Sequence, residues 1–277
     1  MKKAKTAIAL TVAGSDSSGG AGIQADLKTF SALGVYGASA ITALTAQNTM
    51  GVDDLMAVSP EFVLAQMHAV ARDLDVGAVK IGMLATDETV EAVASGLDAF
   101  PDVPVVLDPV MVASSGDLLI DETASGLLRE RLVPRATVVT PNLDEAAVLL
   151  GEPPQSREQM MEGRAQRLLA LGADVVLLTG GESMAETALD IFADANGIQR
   201  IEAPRHATRN THGTGCTLSS AIAAELAKGE SVEKAIKLAK MYVTAAIIAA
   251  DEIDVGQGAG PVHHFHALWP RAEEERS

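Results

Sequence analysis

Gly213-Thr214-Gly215-Cys216 is the stretch whose residue types and order suggest chemistry most directly. It precedes a segment in which Leu218, Ile222 and Leu226 recur every fourth position, which predicts a helix opening from a flexible glycine turn. First-turn N–H groups have no partner within a helix, the helix dipole is positive there, and glycine lets backbone approach a phosphate closely. The stretch therefore reads as an anion site, and it holds the only cysteine of the chain. The competing reading is an ordinary turn followed by a small buried thiol. Asp108 is a second candidate, because it closes a buried strand over 103–107, and open α/β sheets bind ligands beyond such strand ends. An acid that merely caps its own loop is the alternative. Asn142 and Glu145 have the spacing of a capping box, so any metal or phosphate role for them needs separate support.

Other candidates carry less. His263, His264 and His266 are clustered, but no cysteine or acid stands at zinc-site spacing around them, and adjacent side chains point in different directions. Lys80, in Val-Lys-Ile-Gly, reads as a lysine at a strand end rather than a catalytic one.

The elements that must hold these residues follow from periodicity and turn chemistry. A strand over 6–13 enters a loop with four glycines over 14–22, then a helix over 23–33 closed by Gly34. The loop has neither the Gly-x-Gly-x-x-Gly of dinucleotide sites nor the Lys-Ser/Thr ending of a P-loop. A strand over 37–46 leads to Gln47, and Ser59-Pro60-Glu61 starts a helix reaching about Leu74. Strands over 76–82, 103–107, 137–140 and 175–179 alternate with helices over 86–97, 121–131, from 141 onward, and 156–171. Strands over 187–192 and 198–203 are consecutive, joined by Asn196-Gly197 as an expected type I′ turn. That hairpin breaks βα alternation and favours an open, mostly parallel α/β sheet over a closed barrel. A long helix over 231–250 follows, and the charged stretch 271–277 is expected to fray, leaving one domain over 1–270.

With 277 residues, 48% of them hydrophobic, the chain can bury a full core. A net charge of −16 opposes general attraction to nucleic acid or anionic membrane, so any phosphate site must be built locally. Aromatic residues make up only 3%, which gives no base-stacking platform. One cysteine excludes an intrachain disulfide and suits a reducing compartment, with the cytoplasm as the expectation. The basic start and short apolar run imitate a secretory signal but read better as a first strand, and no segment is long enough to span a membrane.

Several separated blocks together carry a resemblance. Ala-Gly-Ser-Asp-x-Ser-Gly-Gly-Ala-Gly-Ile-Gln-Ala-Asp-Leu-Lys, Ile-Thr-Ala-Leu-Thr-Ala-Gln-Asn-Thr, Lys-Ile-Gly-Met-Leu, Asp-Pro-Val-Met, Thr-Pro-Asn-Leu-x-Glu-Ala, Asn-Thr-His-Gly-Thr-Gly-Cys and Gly-Pro-Val-His-His-Phe-His occur in this order over 13–266. The chain resembles the hydroxymethylpyrimidine/phosphomethylpyrimidine kinases of thiamine biosynthesis, in the ribokinase-like superfamily. The resemblance implies a three-layer αβα homodimer that uses Mg-ATP (ATP with Mg2+) to phosphorylate 4-amino-5-hydroxymethyl-2-methylpyrimidine, first to the monophosphate and then to the pyrophosphate. It also implies roles for residues of this chain. Asp26 and Gln47 would hydrogen-bond the aminopyrimidine, with Met83 and Val110 flanking the ring. Asp108 and Glu145 would organise magnesium, and Asn142 would face the phosphates. Gly213, Thr214, Gly215 and Cys216 would form the catalytic anion hole. Thr179 and Gly181 lie in the nucleotide loop, where Thr179 stands in place of the family's usual lysine, and Ser17 replaces a usual proline.

Related sugar kinases place an aspartate where Cys216 stands. A thiol at a helix start, its pKa lowered from about 8.5, would serve as a base in the first step. In the second step the nucleophile is already anionic, and a fixed carboxylate would repel it by about 4 kcal/mol at 4 Å and an effective dielectric of 20. Two rival functions are a pyridoxal or pyridoxine kinase and a non-catalytic nucleotide- or pyrimidine-binding sensor of the same fold.

Overall fold

The computed structural model describes residues 5–111, 122–153, 158–181 and 187–269. In chain order the elements are β1 (Ile8–Asp16), α1 (Gly22–Ala32), β2 (Tyr36–Asn48), β3 (Gly51–Ala57), α2 (Pro60–Ala71), β4 (Ala78–Ile81), α3 (Asp87–Gly96), β5 (Val105–Leu107) and α4 (Glu122–Leu127). There follow β6 (Val138–Val139), α5 (Leu143–Leu149), α6 (Met161–Leu169), β7 (Val175–Thr179), β8 (Thr187–Asp194), β9 (Gly197–Pro204), α7 (Thr214–Ala227) and α8 (Val232–Ile248). The charged stretch expected to fray lies outside the described residues.

Among the described residues the strands form one sheet in the order β3-β2-β1-β4-β5-β6-β7-β8-β9. The pairs from β2 through β7 are parallel, and β3, β8 and β9 add antiparallel pairs at the two edges. Helices cover both faces, because a parallel sheet buried on both sides needs apolar partners on each. One core cluster packs Val63 and Met67 of α2, Val90 and Val93 of α3, Ala146 of α5 and Ala165 of α6 beneath Leu10, Val79 and Leu107. The other packs Phe30 of α1, Ile222 of α7 and Ile236 of α8 against Ala9, Ala78 and Val106. Residues two apart on a strand share a face. Lys80 therefore lies with Ala78, and Asp108 with Val106, on the side of α1 and α7.

Local chemistry sets most boundaries. Ser59 accepts from the Phe62 N–H with Pro60 at the first helical position, and Thr86 accepts from the Thr89 N–H to open α3. Gly34 takes a left-handed φ of 74° just past α1.

Two expectations change. Residues 51–57, assigned no element from the sequence, form β3, paired antiparallel with β2. The five residues Asp53–Ala57 are exposed, so this edge strand carries no alternating apolar signal. The β8–β9 hairpin is present, but its turn is not type I′. That type needs left-handed φ at both central residues, which in this hairpin are Ala195 and Asn196, and neither has a positive φ. Asp194 and Gly197 pair directly, and the Asp194 carboxylate accepts from the backbone N–H groups of Asn196 and Gly197. An aspartate-capped turn has taken the place of the glycine-driven one.

Leu10 is fully buried on β1, at the middle of the sheet. Leu10→Ala is expected to reduce stability by about 2–5 kcal/mol through lost transfer energy and the cavity left behind, measured by urea unfolding at constant m-value.

Candidate active site

The order of the sheet fixes where a ligand fits. β1 is flanked by β2 on one side and β4 on the other, so the chain reverses its winding direction between β1 and β4, and a crevice opens beyond the carboxyl ends there. The parallel strands direct Asp16, Gln47, Met83, Asp108, Val110, Asn142 and Thr179 to that same edge.

Beneath the crevice lies a buried charge cluster. Lys80 of β4 is fully enclosed and donates to both carboxylate oxygens of Asp26, at 3.0 and 3.1 Å. Its Nζ is 3.7 Å from Asp108 Oδ2. Asp26 also accepts from Thr11 Oγ1 and Ser220 Oγ, each at 2.6 Å, while Ser219 Oγ donates to Asp108 at 2.9 Å. Asp26, expected at the edge of a substrate ring, is thus 0% exposed and engaged by three side chains of β1, β4 and α7. A carboxylate placed this way lies beneath the crevice, held by the base of the site. Burial opposes the charge of Lys80, but Asp26 and Asp108 outweigh it and hold the ammonium above its ordinary range. Burial pushes Asp108 up, while Lys80 and Ser219 pull it down. Lys80 does lie at the end of its strand, one residue before β4 stops, and what the sequence reading did not include is its buried ion pairing. A lysine inside a fully buried strand must find a buried counter-charge, and the sequence signal was its wholly apolar surroundings.

The start of α7 sits above this cluster. Gly213 caps the helix with a left-handed φ of 76°, and a Cβ there would lie 1.9 Å from the Gly20 carbonyl oxygen, so only glycine fits. Among the described residues, the N–H groups of Gly213, Gly215 and Cys216 have no hydrogen-bond acceptor, whereas the N–H and hydroxyl of Thr214 both turn back to the Thr211 carbonyl. Ser219 and Ser220, one turn further on, tie the helix to Asp108 and Asp26. The Cys216 thiol is half-buried and lies near the Gly22 N–H. Its expected low pKa is not what the fold produces. Burial pushes the thiol up to about 12, with Asp108 and Asp26 adding to the rise and only Lys80 and the Gly22 N–H opposing it. Enclosure beside two carboxylates outweighs the helix start, and the thiol is neutral at pH 7.

A residue that sequence reasoning passed over organises the first glycine loop. The buried Asp16 carboxylate accepts from the N–H and hydroxyl of Ser18, the N–H groups of Gly20 and Ala21, and His212 Nε2 at 2.8 Å. Burial opposes its ionisation, but the His212 and Ser18 bonds prevail and hold it below the usual carboxylate range. Asp16 and His212 thereby join the loop after β1 to the turn before α7. The Ser-Asp-x-Ser-Gly-Gly spacing over 15–20 was its available signal, since an aspartate before serine and glycine caps turns.

The remaining expected residues line the rim. Gln47 is half-buried, with Oε1 accepting from Thr45, and its backbone exchanges hydrogen bonds with the Ser17 hydroxyl. Met83 is nearly enclosed against Gly14, and half-buried Val110 donates its N–H to the Asp108 carbonyl. Asn142 and Glu145 form the capping box at the start of α5, on the strand end next to Asp108. Thr179 bonds to Pro141, which brings α5 and the loop after β7 together. Although Thr179 is not a lysine, a cation stands nearby, because Arg205 donates to the Gly181 carbonyl at 2.6 Å. The histidines at the end pack structurally: His264 Nε2 meets Thr217 Oγ1 at 3.1 Å, and burial, with Lys28 nearby, lowers its pKa to about 3.

The chain has close relatives. The sequence model of a family described as phosphomethylpyrimidine kinase matches residues 16–263. A hydroxymethylpyrimidine/phosphomethylpyrimidine kinase of Rhizobium meliloti is 57% identical over 264 residues, covering 95% of this chain and 99% of the relative. Among solved structures, an ADP complex of Bacillus subtilis pyridoxal kinase superposes with a TM-score of 0.88 at 38% identity, covering 96% and 100% of the two chains. A phosphomethylpyrimidine kinase from Clostridium difficile gives 0.76 at 41% identity over 88% and 100%.

A thiol raised to about 12 predicts slow alkylation. Reaction of the native protein with iodoacetamide should keep accelerating with pH beyond 10, whereas a thiol activated at a helix start would level off near or below about 8.5. Mass spectrometry of samples quenched across pH reads the difference.

Proposed function

The chain belongs to the phosphomethylpyrimidine kinase family, and from that premise we propose that it phosphorylates hydroxymethylpyrimidine and then its monophosphate, with ATP as donor. The observation that carries this reading is the start of α7. There, among the described residues, Gly213, Gly215 and Cys216 present N–H groups without acceptors, held over a base formed by Ser219–Asp108 and Ser220–Asp26. Preorganised donors of this kind stabilise charge on a phosphoryl group in transit and need no reorganisation as the reaction proceeds.

The parts then divide as follows. Gln47 offers an amide donor and acceptor to the aminopyrimidine edge, with Met83 and Val110 on either side of the ring. Asn142, Thr179 and Gly181 face the nucleotide, and Arg205 supplies the positive charge that the missing lysine would have given. Asp108, just past β5, and Glu145, in the first turn of α5, are oxygen donors that fit Mg2+, which is ordinarily held by one or two carboxylates together with waters and substrate phosphates. Bound with the nucleotide, that ion neutralises charge on the phosphate oxygens. The neutral Cys216 thiol adds no negative charge where an anionic acceptor must approach in the second step.

Exposed Leu44, Met50, Leu55 and Met56 on β2, on β3 and at the turn between them support the homodimer that the family resemblance implies, since an apolar edge strand is a surface that pairs. No helix of the described chain is long and apolar enough to cross a membrane. The lone cysteine accords with a cytoplasmic setting. Structural likeness to pyridoxal kinases keeps a vitamin B6 activity as the second reading.

Incubation with Mg-ATP and hydroxymethylpyrimidine should yield products heavier by one and then two phosphates, with pyridoxal turned over more slowly. Faster turnover of pyridoxal, with no diphosphorylated product, would favour the second reading. In Cys216→Asp the second phosphorylation should fall by at least tenfold more than the first, read from product ratios over time. Equal losses in the two steps would remove the electrostatic role given to the neutral thiol.

A further inference from the structure

Beside Gln47 lies a cavity of about 230 Å3, lined by the β2–β3 turn including Thr49, by His212, and by Gly258 and Ala259. These come from three distant parts of the chain, and one residue holds them together. Thr49 Oγ1 accepts from the N–H groups of Gln257 at 3.2 Å and Gly258 at 3.1 Å, and its carbonyl accepts from the Ala259 N–H at 3.1 Å. Three successive backbone donors therefore converge on Thr49.

The approach is close enough to exclude side chains. A Cβ on Gly258 would lie 2.0 Å from the Thr49 carbonyl oxygen, and one on Gly256, whose φ is +76°, would lie 2.3 Å from the Thr49 hydroxyl. Further along, Gly260 accepts from the His212 N–H at 3.0 Å, and Pro261 pairs with His212 as a parallel bridge. Residues 256–261 thus form a strap from the tip of the β2–β3 hairpin to the turn before α7. The portion that borders the cavity offers only backbone and the methyl of Ala259, so its position is set by Thr49 rather than by packing of large side chains.

We propose that Thr49 and this glycine strap determine substrate specificity by fixing the cavity wall that faces Gln47. Thr49 is a positioning residue: it holds the strap, and the strap limits which flat heteroaromatic ring can settle against the Gln47 amide. The proposal rests on the assignment of Gln47 to the substrate ring made above. Releasing the strap at its Thr49 end weakens ring binding and relaxes the choice between a pyrimidine and a bulkier pyridine. Its other end keeps the Gly260 and Pro261 pairing with His212, so the α7 cradle and the nucleotide loop hold their positions.

The test compares Thr49→Val, which keeps the volume but removes the hydroxyl acceptor, with Thr49→Ser, which keeps the acceptor. Thr49→Val should raise KM for hydroxymethylpyrimidine about tenfold, consistent with the loss of two hydrogen bonds to one hydroxyl. Its kcat and its KM for ATP should stay within about twofold, and the preference for the pyrimidine over pyridoxal should narrow. Thr49→Ser should restore the pyrimidine KM. Gly258→Ala, which displaces the strap from the opposite side, should reproduce the selective KM increase. An unchanged pyrimidine KM in Thr49→Val, an equal rise in both KM values, a fall in kcat alone, or a serine variant no better than valine would each overturn the proposal. If the wild-type protein does not turn over the pyrimidine at all, the substrate reading itself has failed. Turnover by the wild type with an unaltered valine variant removes only the role of the strap.

Discussion

The site depends on one enclosed ammonium. Lys80 lies between two buried carboxylates, Asp26 on α1 and Asp108 after β5, and each of these holds a serine of α7. An isolated carboxylate at these positions would resist ionisation, and an isolated lysine would lose its proton. Together, with hydroxyl donors filling the remaining lone pairs, they form a charged base that links four elements. Removing one member of such a buried set leaves an uncompensated charge and typically costs about 3–5 kcal/mol. The same ammonium moderates the field at Cys216, where the two carboxylates otherwise drive the thiol toward its protonated form. Its position therefore governs both where the helix start points and what charge surrounds it.

The glycine loop after β1 supplies the second constraint. Asp16 gathers four donors from its own loop and one from His212, so it ties the loop to the turn before α7. The two segments approach so closely that a Cβ on Gly213 would lie 1.9 Å from the Gly20 carbonyl oxygen. Positioning of this kind matters for phosphoryl transfer, in which the protein contributes alignment and electrostatics more than covalent chemistry.

What the sequence made legible was local. The turn at Gly213, the Asn142–Glu145 capping box, the Ser59-Pro60 helix start and the hairpin that opens the sheet are each written within a few neighbouring residues, and backbone geometry reads them directly. What escaped was non-local. The partner of Lys80 stands 54 residues away and that of His212 stands 196 away, and no spacing rule joins them. The same distinction explains Cys216, whose helix-start position is local and favours the thiolate while its enclosure and its carboxylate neighbours come from elsewhere in the chain and favour the thiol. Thr214 differs from its neighbours in the same way, because its side chain and N–H both donate to the Thr211 carbonyl. The edge strand β3 was missed because a strand left exposed has no burial to impress a pattern on its residues.

The sealing of Lys80 divides the protein's charges into two populations. The net charge of −16 is carried largely at the surface, where ions at physiological strength screen it within about 8 Å. The Lys80–Asp26 pair, with both side chains at 0% exposure, lies beyond the reach of those ions. Ionic strength therefore acts on the approach of a polyanionic nucleotide to a negatively charged molecule, easing the encounter as salt rises, while the electrostatic frame that awaits it stays constant. Encounter and alignment respond to different variables because one set of charges faces water and the other does not.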